Sequence, residues 1–209
     1  IGTIYYNQGN YPQALERYQK SLAIQEELGN KQGIASSLHS IGMIHHEQGN
    51  YPNALKHYLK SLGIMDELAN KQGMSASLNG IGNIYHEQGN YPKALEYHQK
   101  CLAIDEELGD KGRMASSLHN IGMIYNAQDD YPKTLEYYQK SLAIEEELGN
   151  QYGIANSLQS IGSIYHKQSN YSKAFEYYQK CLEIMKELGN KQGIAGSMMN
   201  IGQIYKGQG

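Results

Sequence analysis

The chain repeats one phrase every 40 residues along its length of 209 residues. The dipeptide Ile-Gly recurs at the same place in each phrase, at Ile1-Gly2, Ile41-Gly42, Ile81-Gly82, Ile121-Gly122, Ile161-Gly162 and Ile201-Gly202. A fixed period of roughly 20 to 50 residues is typical of solenoids, in which each repeat buries its apolar face against its neighbours. We therefore expect one elongated array over residues 1–209, with its function in a repeated surface rather than in a single catalytic pocket.

The apolar residues of each repeat predict two amphipathic helices joined by a tight turn. In the third repeat the first stripe follows helical spacing, at Met74, Leu78, Ile81 and Tyr85. Residues Gln88-Gly89-Asn90 then supply a glycine C-cap and an asparagine N-cap, and Pro92 falls in the first turn of the second helix. Each repeat is thus helix A, turn, helix B, turn, which predicts an all-α solenoid of antiparallel helix pairs. Gly82 inside helix A predicts a close neighbour that needs the missing side chain.

Five such units leave a partial helix A at the N-terminus and an unpaired helix A at the C-terminus. Solenoids need polar capping repeats at their ends, and neither end of this sequence has one. We therefore expect the sequence to be a fragment of a longer array. The alternative is an array whose ends stack on other copies, which predicts end-to-end self-association.

Composition argues against several classes of partner. The 18 Lys and Arg residues are outnumbered by 21 Asp and Glu, for a net charge of −3, and no segment concentrates positive charge, so nucleic acid is not an expected partner. No segment approaches the roughly 20 apolar residues that span a bilayer, and no signal peptide begins the sequence, so we expect no membrane insertion and a cytoplasmic location. Cys101 and Cys181 occupy the same repeat position, and we expect small buried residues rather than a disulfide.

The histidines and serines do not form a recognisable reactive site. His39 and His46 lie seven residues apart, roughly 10 Å along a helix, whereas a shared zinc ion needs bonds of about 2 Å to each ligand. Ser37 and His39 are two residues apart on a helix and therefore point to different faces. We expect no enzymatic activity, no metal and no cofactor. The histidines instead raise the hypothesis of a surface that gains positive charge near pH 6.

The conserved spacing within each repeat resembles the tetratricopeptide repeat pattern. In the third repeat the matching residues are Ile81-Gly82, Tyr85, Gly89, Tyr91, Ala94, Tyr97-His98 and Cys101-Leu102. The 40-residue period, with an extra helical turn at residues 143–150, is similar to the repeats of kinesin light chains and of the spindle-orienting modulators of G-protein signalling. The resemblance implies a right-handed superhelix whose A helices line a concave groove that holds an extended or helical peptide.

By position, the resemblance places on this groove the helix-A residues two before the Ile-Gly pair, and one and four after it. The position just before the pair, where the spindle-orienting relatives grip the ligand backbone with Asn, holds Asn in two repeats. The residues that the resemblance implies for peptide contact are Asn120, Asn200, His119, Asn83, Met123, Asn126, His86, His39, Met43, His46, Gln159 and His166. This lining is polar and almost uncharged, and the charge of helix B, such as Glu145-Glu146-Glu147, is expected on the convex side.

Polar groups that both donate and accept hydrogen bonds suit the backbone of a bound segment. The sequence therefore predicts a protein–protein interaction scaffold or adaptor that binds a peptide or protein segment. Two alternatives stay open: a structural or self-assembling solenoid module, and a sensor or regulatory region of a larger signalling protein.

Overall fold

The computed structural model describes residues 2–208, so Ile1 and Gly209, the two ends of the predicted array, lie outside the described residues. Within them, tight turns join eleven α-helices and no strand occurs. The prediction of an all-α fold is confirmed. The helices are α1 Gly2–Asn7, α2 Tyr11–Glu27, α3 Lys31–Glu47, α4 Tyr51–Glu67, α5 Lys71–Glu87, α6 Tyr91–Leu108, α7 Lys111–Ala127, α8 Tyr131–Leu148, α9 Gln151–Lys167, α10 Tyr171–Glu187 and α11 Lys191–Gln208.

The chain forms two compact units, unit 1 at Ile1–Leu108 and unit 2 at Gly109–Gly209. The odd-numbered helices are the predicted A helices, and the even-numbered helices are the B helices. In unit 1, α3 packs on α4 and α5 on α6, while α4 also packs on α5. In unit 2, α7 packs on α8 and α9 on α10, while α8 also packs on α9. The antiparallel pairing of helices A and B is therefore confirmed within each unit.

Asparagine and aspartate side chains begin the helices, as the turn sequences predict. The Asn30 side chain accepts a hydrogen bond from the Gly33 amide at 3.2 Å, which satisfies one of the free N–H groups of the first turn. The turn before each N-cap residue needs one residue in the left-handed backbone conformation, and Gly149 adopts it with φ of 66°. The equivalent residues Ala69, Asp129 and Ser169 adopt the same conformation, with φ of 50°, 58° and 59°. The turn geometry is therefore kept even where glycine is absent.

The glycine of the Ile-Gly pair makes room for an aromatic ring of helix B in the same repeat. A Cβ at Gly42 would lie 2.8 Å from the Tyr58 ring, and a Cβ at Gly122 would lie 2.6 Å from the Tyr138 ring. The predicted close neighbour is thus a side chain of helix B. Both rings belong to the buried core. Tyr58 packs in one cluster with Ala54, Ile81 and Ile84, and Tyr138 packs in another with Ile161 and Ile164.

Small polar residues at one helix-B position tie three of the B helices to the A helix before them. Ser61 Oγ donates to the Ala35 carbonyl at 2.9 Å, and Ser141 Oγ donates to the Ala115 carbonyl at 2.9 Å. Cys101 occupies this position in another repeat, and its thiol donates to the Ser75 carbonyl at 3.0 Å. Both cysteines are buried thiols. They are small buried residues, as predicted.

Candidate functional site

The A helices of unit 1 enclose a polar cavity, which we call the unit-1 cavity. Its volume is about 230 Å³, and α3 and α5 supply most of its lining. Four of the predicted peptide-contact residues meet here, namely His39, Met43, His46 and Asn83. The rest of the wall consists of Tyr6 and Asn79, whose repeat positions also place them on the groove, and of four residues that the sequence analysis did not select: Glu47, Tyr58, Ala76 and Gly80.

His39 is the most enclosed of these predicted residues. Its ring lies 5.1 Å from the Tyr58 ring, centroid to centroid, and its buried Nδ1 has no hydrogen-bond partner among the described residues. Burial lowers the pKa of His39, because the charged imidazolium loses hydration there. His39 is therefore neutral at pH 7 and has a polar atom that no described group of the protein satisfies.

Side chains of successive A helices pair along the same edge of unit 1. His46 Nε2 lies 2.9 Å from Glu87 Oε2, and the Tyr6 hydroxyl donates to Glu47 Oε1 at 3.2 Å. Each pair joins residues 41 positions apart, so one repeat fixes the polar side chain of the next. The edge of the unit-1 cavity thus carries carboxylates that the sequence analysis did not place there.

Unit 2 has a second polar cavity, the unit-2 cavity, between α7 and α9. Its volume is about 200 Å³, and His119 and Asn120 of the predicted set line it. The His119 ring stacks on the Tyr138 ring with centroids 4.7 Å apart, and burial lowers the pKa of His119. The remaining lining residues are Ala115, Ser116, Ser141, Glu145, Gly153, Asn156 and Ser157.

Glu145 corrects the prediction that the helix-B acids lie on the convex side. Glu146 and Glu147 are exposed, but Glu145 is only 8% exposed and belongs to the unit-2 cavity beside His119. The three glutamates are consecutive on α8, so their side chains point in directions about 100° apart. The sequence holds one sign of this burial: in two other repeats the position equivalent to Glu145 is occupied by the apolar residues Met65 and Met185.

The other predicted contact residues lie on A helices but line neither cavity. Met123 is 39% exposed, and Asn126 accepts a hydrogen bond from Lys167 Nζ at 2.9 Å. The rings of His86 and His166 lie near those of Tyr91 and Tyr171, with centroids 6.0 and 5.6 Å apart. The remaining two are Gln159, which is exposed, and Asn200, which is half-buried.

The hypothesis of a surface that charges near pH 6 does not fit the two cavity histidines with shifted pKa. Burial lowers the pKa of both His39 and His119, so each stays neutral until the pH is more acidic than for a free imidazole. Burial therefore opposes a gain of positive charge at these two residues.

A larger, mainly apolar cavity of unit 1 is lined by helices α4, α5 and α6. Its volume is about 600 Å³, and Leu62, Met74, Leu78 and Ile104 form apolar parts of its wall. Two residues of α4 distinguish this place from the other repeats. Leu59 stands where four repeats have Gln, and Gly63 stands where three have Ala. Leu59 makes the wall apolar, and Gly63 leaves it open.

Gly63→Ala is expected to raise the free energy of unfolding by about 0.5–1 kcal/mol. Gly63 lies inside α4, and a Cβ there meets no atom within 4 Å, so alanine removes the entropy cost of glycine without a clash. Urea unfolding of the variant beside the wild type measures the change. A variant less stable than the wild type would contradict the claim that a Cβ at this position has room in the fold.

Over residues 2–208, no group of three or more His, Cys, Asp and Glu side chains gathers as metal ligands would. No helix in that range combines the length and the apolar character that crossing a membrane requires.

Solved structures with the same fold include three of special interest. A Rap protein complexed with Competence and Sporulation Factor has a TM-score of 0.79 and 17% identity, and the match covers 98% of this chain and 61% of that one. A signal transduction ATPase with numerous domains and a tetratricopeptide repeat sensor, from Pyrococcus horikoshii, has a TM-score of 0.86 and 20% identity, with 98% and 31% covered. The chain therefore spans less than two thirds of either protein.

The third structure has the nearly identical TPR-like repeats of a putative kinesin light chain from Podosopora anserina. Its TM-score is 0.71 at 17% identity, and the match covers 91% of this chain and 94% of that one. The likeness to kinesin-light-chain repeats inferred from the 40-residue period is therefore confirmed for the fold. No curated protein sequence matches the chain significantly.

The sequence profile of the tetratricopeptide repeat matches the chain from end to end in overlapping pairs of repeats. The matched segments are residues 1–67, 33–107, 73–144, 113–187 and 154–209. The chain belongs to the tetratricopeptide repeat family.

Proposed function

We propose that this chain is a protein-interaction scaffold that binds a polypeptide segment on the surface of its A helices. The observation that carries the proposal is the unit-1 cavity, where His39, Met43, His46 and Asn83 meet. The tetratricopeptide repeats support an interaction role, and so does the likeness to the Rap protein that was solved with Competence and Sporulation Factor.

The size of the two polar cavities favours a polypeptide over a single small molecule as the ligand of the A-helix surface. Pockets for small molecules enclose roughly 300–1,000 Å³. The unit-1 and unit-2 cavities enclose about 230 and 200 Å³, which suits one side chain each. A polypeptide places side chains at intervals and can use several such cavities.

The chemistry of the unit-1 cavity suits the backbone of such a segment. A neutral imidazole and a carboxamide each donate and accept hydrogen bonds, so His39 and Asn83 can satisfy both the N–H and the C=O groups of a peptide. Met43 adds a flexible apolar contact that adapts to different side chains. The unsatisfied Nδ1 of His39 is an atom that a ligand group would stabilise.

A displayed peptide library selected on the purified protein tests this function. We expect a peptide motif to be enriched on the wild type and lost on His39→Ala/Asn83→Ala, because both hydrogen-bonding groups are removed from one cavity. The matched control is Gln99→Ala/Gln139→Ala, which changes two exposed residues of the B helices and should leave the selection unchanged.

Urea unfolding of both double variants confirms that each is folded before the selections are compared. A motif that survives His39→Ala/Asn83→Ala would show that the ligand binds elsewhere. The absence of any enriched motif on the folded wild type would contradict the proposed function.

A further inference from the structure

A carboxylate lies inside the unit-2 cavity without a positive charge to balance it. Glu145 is 8% exposed, although burying a carboxylate is costly unless it is paired. Its one side-chain hydrogen bond among the described residues comes from Asn150 Nδ2, which donates to Oε2 at 2.7 Å. No ion pair to Glu145 occurs in residues 2–208.

The cationic groups nearby do not fill this role. Lys111 pairs with the exposed Glu147, and Lys140 pairs with Glu136 at 2.7 Å. His119 lines the same cavity, but burial lowers its pKa and keeps the ring neutral at pH 7. The charge of Glu145 is therefore not compensated by these side chains.

The fold does not need a charge at this position. The first repeat has Gln25 there, and Gln25 Oε1 accepts from Asn30 Nδ2 at 2.7 Å, the same contact that Glu145 makes with Asn150. Two other repeats have Met65 and Met185 at this position, and the third repeat has Asp105, which accepts a hydrogen bond from Ser75 Oγ at 2.7 Å; all three side chains are buried. An amide or a thioether can thus fill the site, so packing alone does not require a negative charge.

The cavity around Glu145 is open and lined by hydrogen-bond acceptors. Ser116 and Asn156 are exposed, whereas Glu145 and Ser157 are buried, so the cavity leads from a polar mouth to the carboxylate. The Ser116 hydroxyl donates to the Gly112 carbonyl at 3.1 Å, which leaves its oxygen lone pairs to accept a hydrogen bond.

We propose that the unit-2 cavity binds a basic side chain of the bound polypeptide, the ammonium of a lysine or the guanidinium of an arginine, with Glu145 as its counter-ion. This inference rests on the proposed function and names the ligand chemistry of one of its cavities. Both groups only donate hydrogen bonds, and they match a lining of carboxylate, hydroxyl and amide oxygens. The volume of about 200 Å³ suits one such side chain.

Small probes test the cavity without any knowledge of the natural ligand. N-acetyl-arginine amide, N-acetyl-lysine amide and the uncharged N-acetyl-norleucine amide are titrated into the labelled protein, and amide resonances are followed by NMR. We expect the two basic probes to shift the resonances of Ser116, Glu145 and Asn156, and norleucine to leave them unmoved. Glu145→Gln should weaken the binding of both basic probes by about tenfold or more.

Glu145→Gln is the matched variant, because Gln25 shows that glutamine keeps the contact with the capping asparagine. Its urea midpoint is compared with that of the wild type to confirm folding. Equal binding of the basic probes to wild type and variant, or equal shifts from norleucine, would overturn the inference.

The peptide selection separates this inference from the proposed function. Peptides enriched on the wild type should carry a lysine or arginine at a fixed place, and Glu145→Gln should remove that preference. An enriched motif without a basic residue would overturn the inference and leave the scaffold function standing. If no peptide is enriched, the scaffold function fails, while the probe titration still decides whether the cavity binds a basic group.

Discussion

Acidification from pH 6.5 to pH 4 is expected to lower the free energy of unfolding by about 3 kcal/mol through His98 alone. His98 is 1% exposed, and its Nδ1 has no hydrogen-bond partner among the described residues. Burial, with a smaller effect of the nearby His86, lowers the pKa of His98 to about 4. The imidazole is therefore protonated much more readily in the unfolded chain than in the fold.

The sign follows from the proton count. Above pH 6.5 the ring is neutral in both states, and the stability is fully present. Between pH 6.5 and the folded pKa of about 4, only the unfolded chain binds the proton, so stability falls by roughly 1.4 kcal/mol per pH unit. Urea unfolding at several pH values measures this slope.

His98→Tyr is the matched control for this slope. The equivalent positions hold Tyr58, Tyr138 and Tyr178, which pack over helix-A glycines as His98 packs over Gly82. Tyrosine does not titrate between pH 4 and 6.5, so the variant should show a flatter profile, with the difference equal to the contribution of His98. Parallel profiles for wild type and variant would contradict the assignment.

Gly122→Ala is expected to lower the free energy of unfolding by about 1–2 kcal/mol. The new Cβ would lie 2.6 Å from Tyr138 Cδ1 and 2.7 Å from Cε1, closer than real Cβ contacts come. The Tyr138 ring is 3% exposed and stacks on His119, so it has little room to retreat. Overpacking costs about 1–3 kcal/mol, which exceeds the roughly 1 kcal/mol that alanine gains over glycine in a helix.

The same substitution at Gly63 provides the control, because no atom lies within 4 Å of the Cβ position there. Urea unfolding should thus give opposite signs for two glycine-to-alanine changes in helix interiors. A stabilised Gly122→Ala variant would show that the glycine in helix A is not a packing requirement.

The repeat pattern was sufficient to predict the helices and their order. Apolar spacing marks each amphipathic face, while Asn30, Gly149 and their equivalents mark the ends of helices through local hydrogen bonds and backbone conformation. These effects act over a few residues, so they can be read directly from the chain. The recurring glycine also predicted a close neighbour, although it did not identify the Tyr138 ring as that neighbour.

The grouping of the polar residues depended on tertiary structure. Position within a repeat selected His39, Met43, His46 and Asn83, and packing brought these four to one cavity. Position also selected His86 and Gln159, which line neither polar cavity.

Glu145 shows most clearly what the sequence alone did not decide. Three consecutive glutamates have the same side chain and nearly the same neighbours in the chain, yet Glu145 is buried, whereas Glu146 and Glu147 are exposed. The difference arises because α8 packs against α7 and α9, and the Glu145 side chain lies against Gly153 of α9, in the cavity that both helices line. The sequence determined the helices through local interactions, whereas burial and the charge inside the unit-2 cavity were decided by contacts between residues distant in the chain.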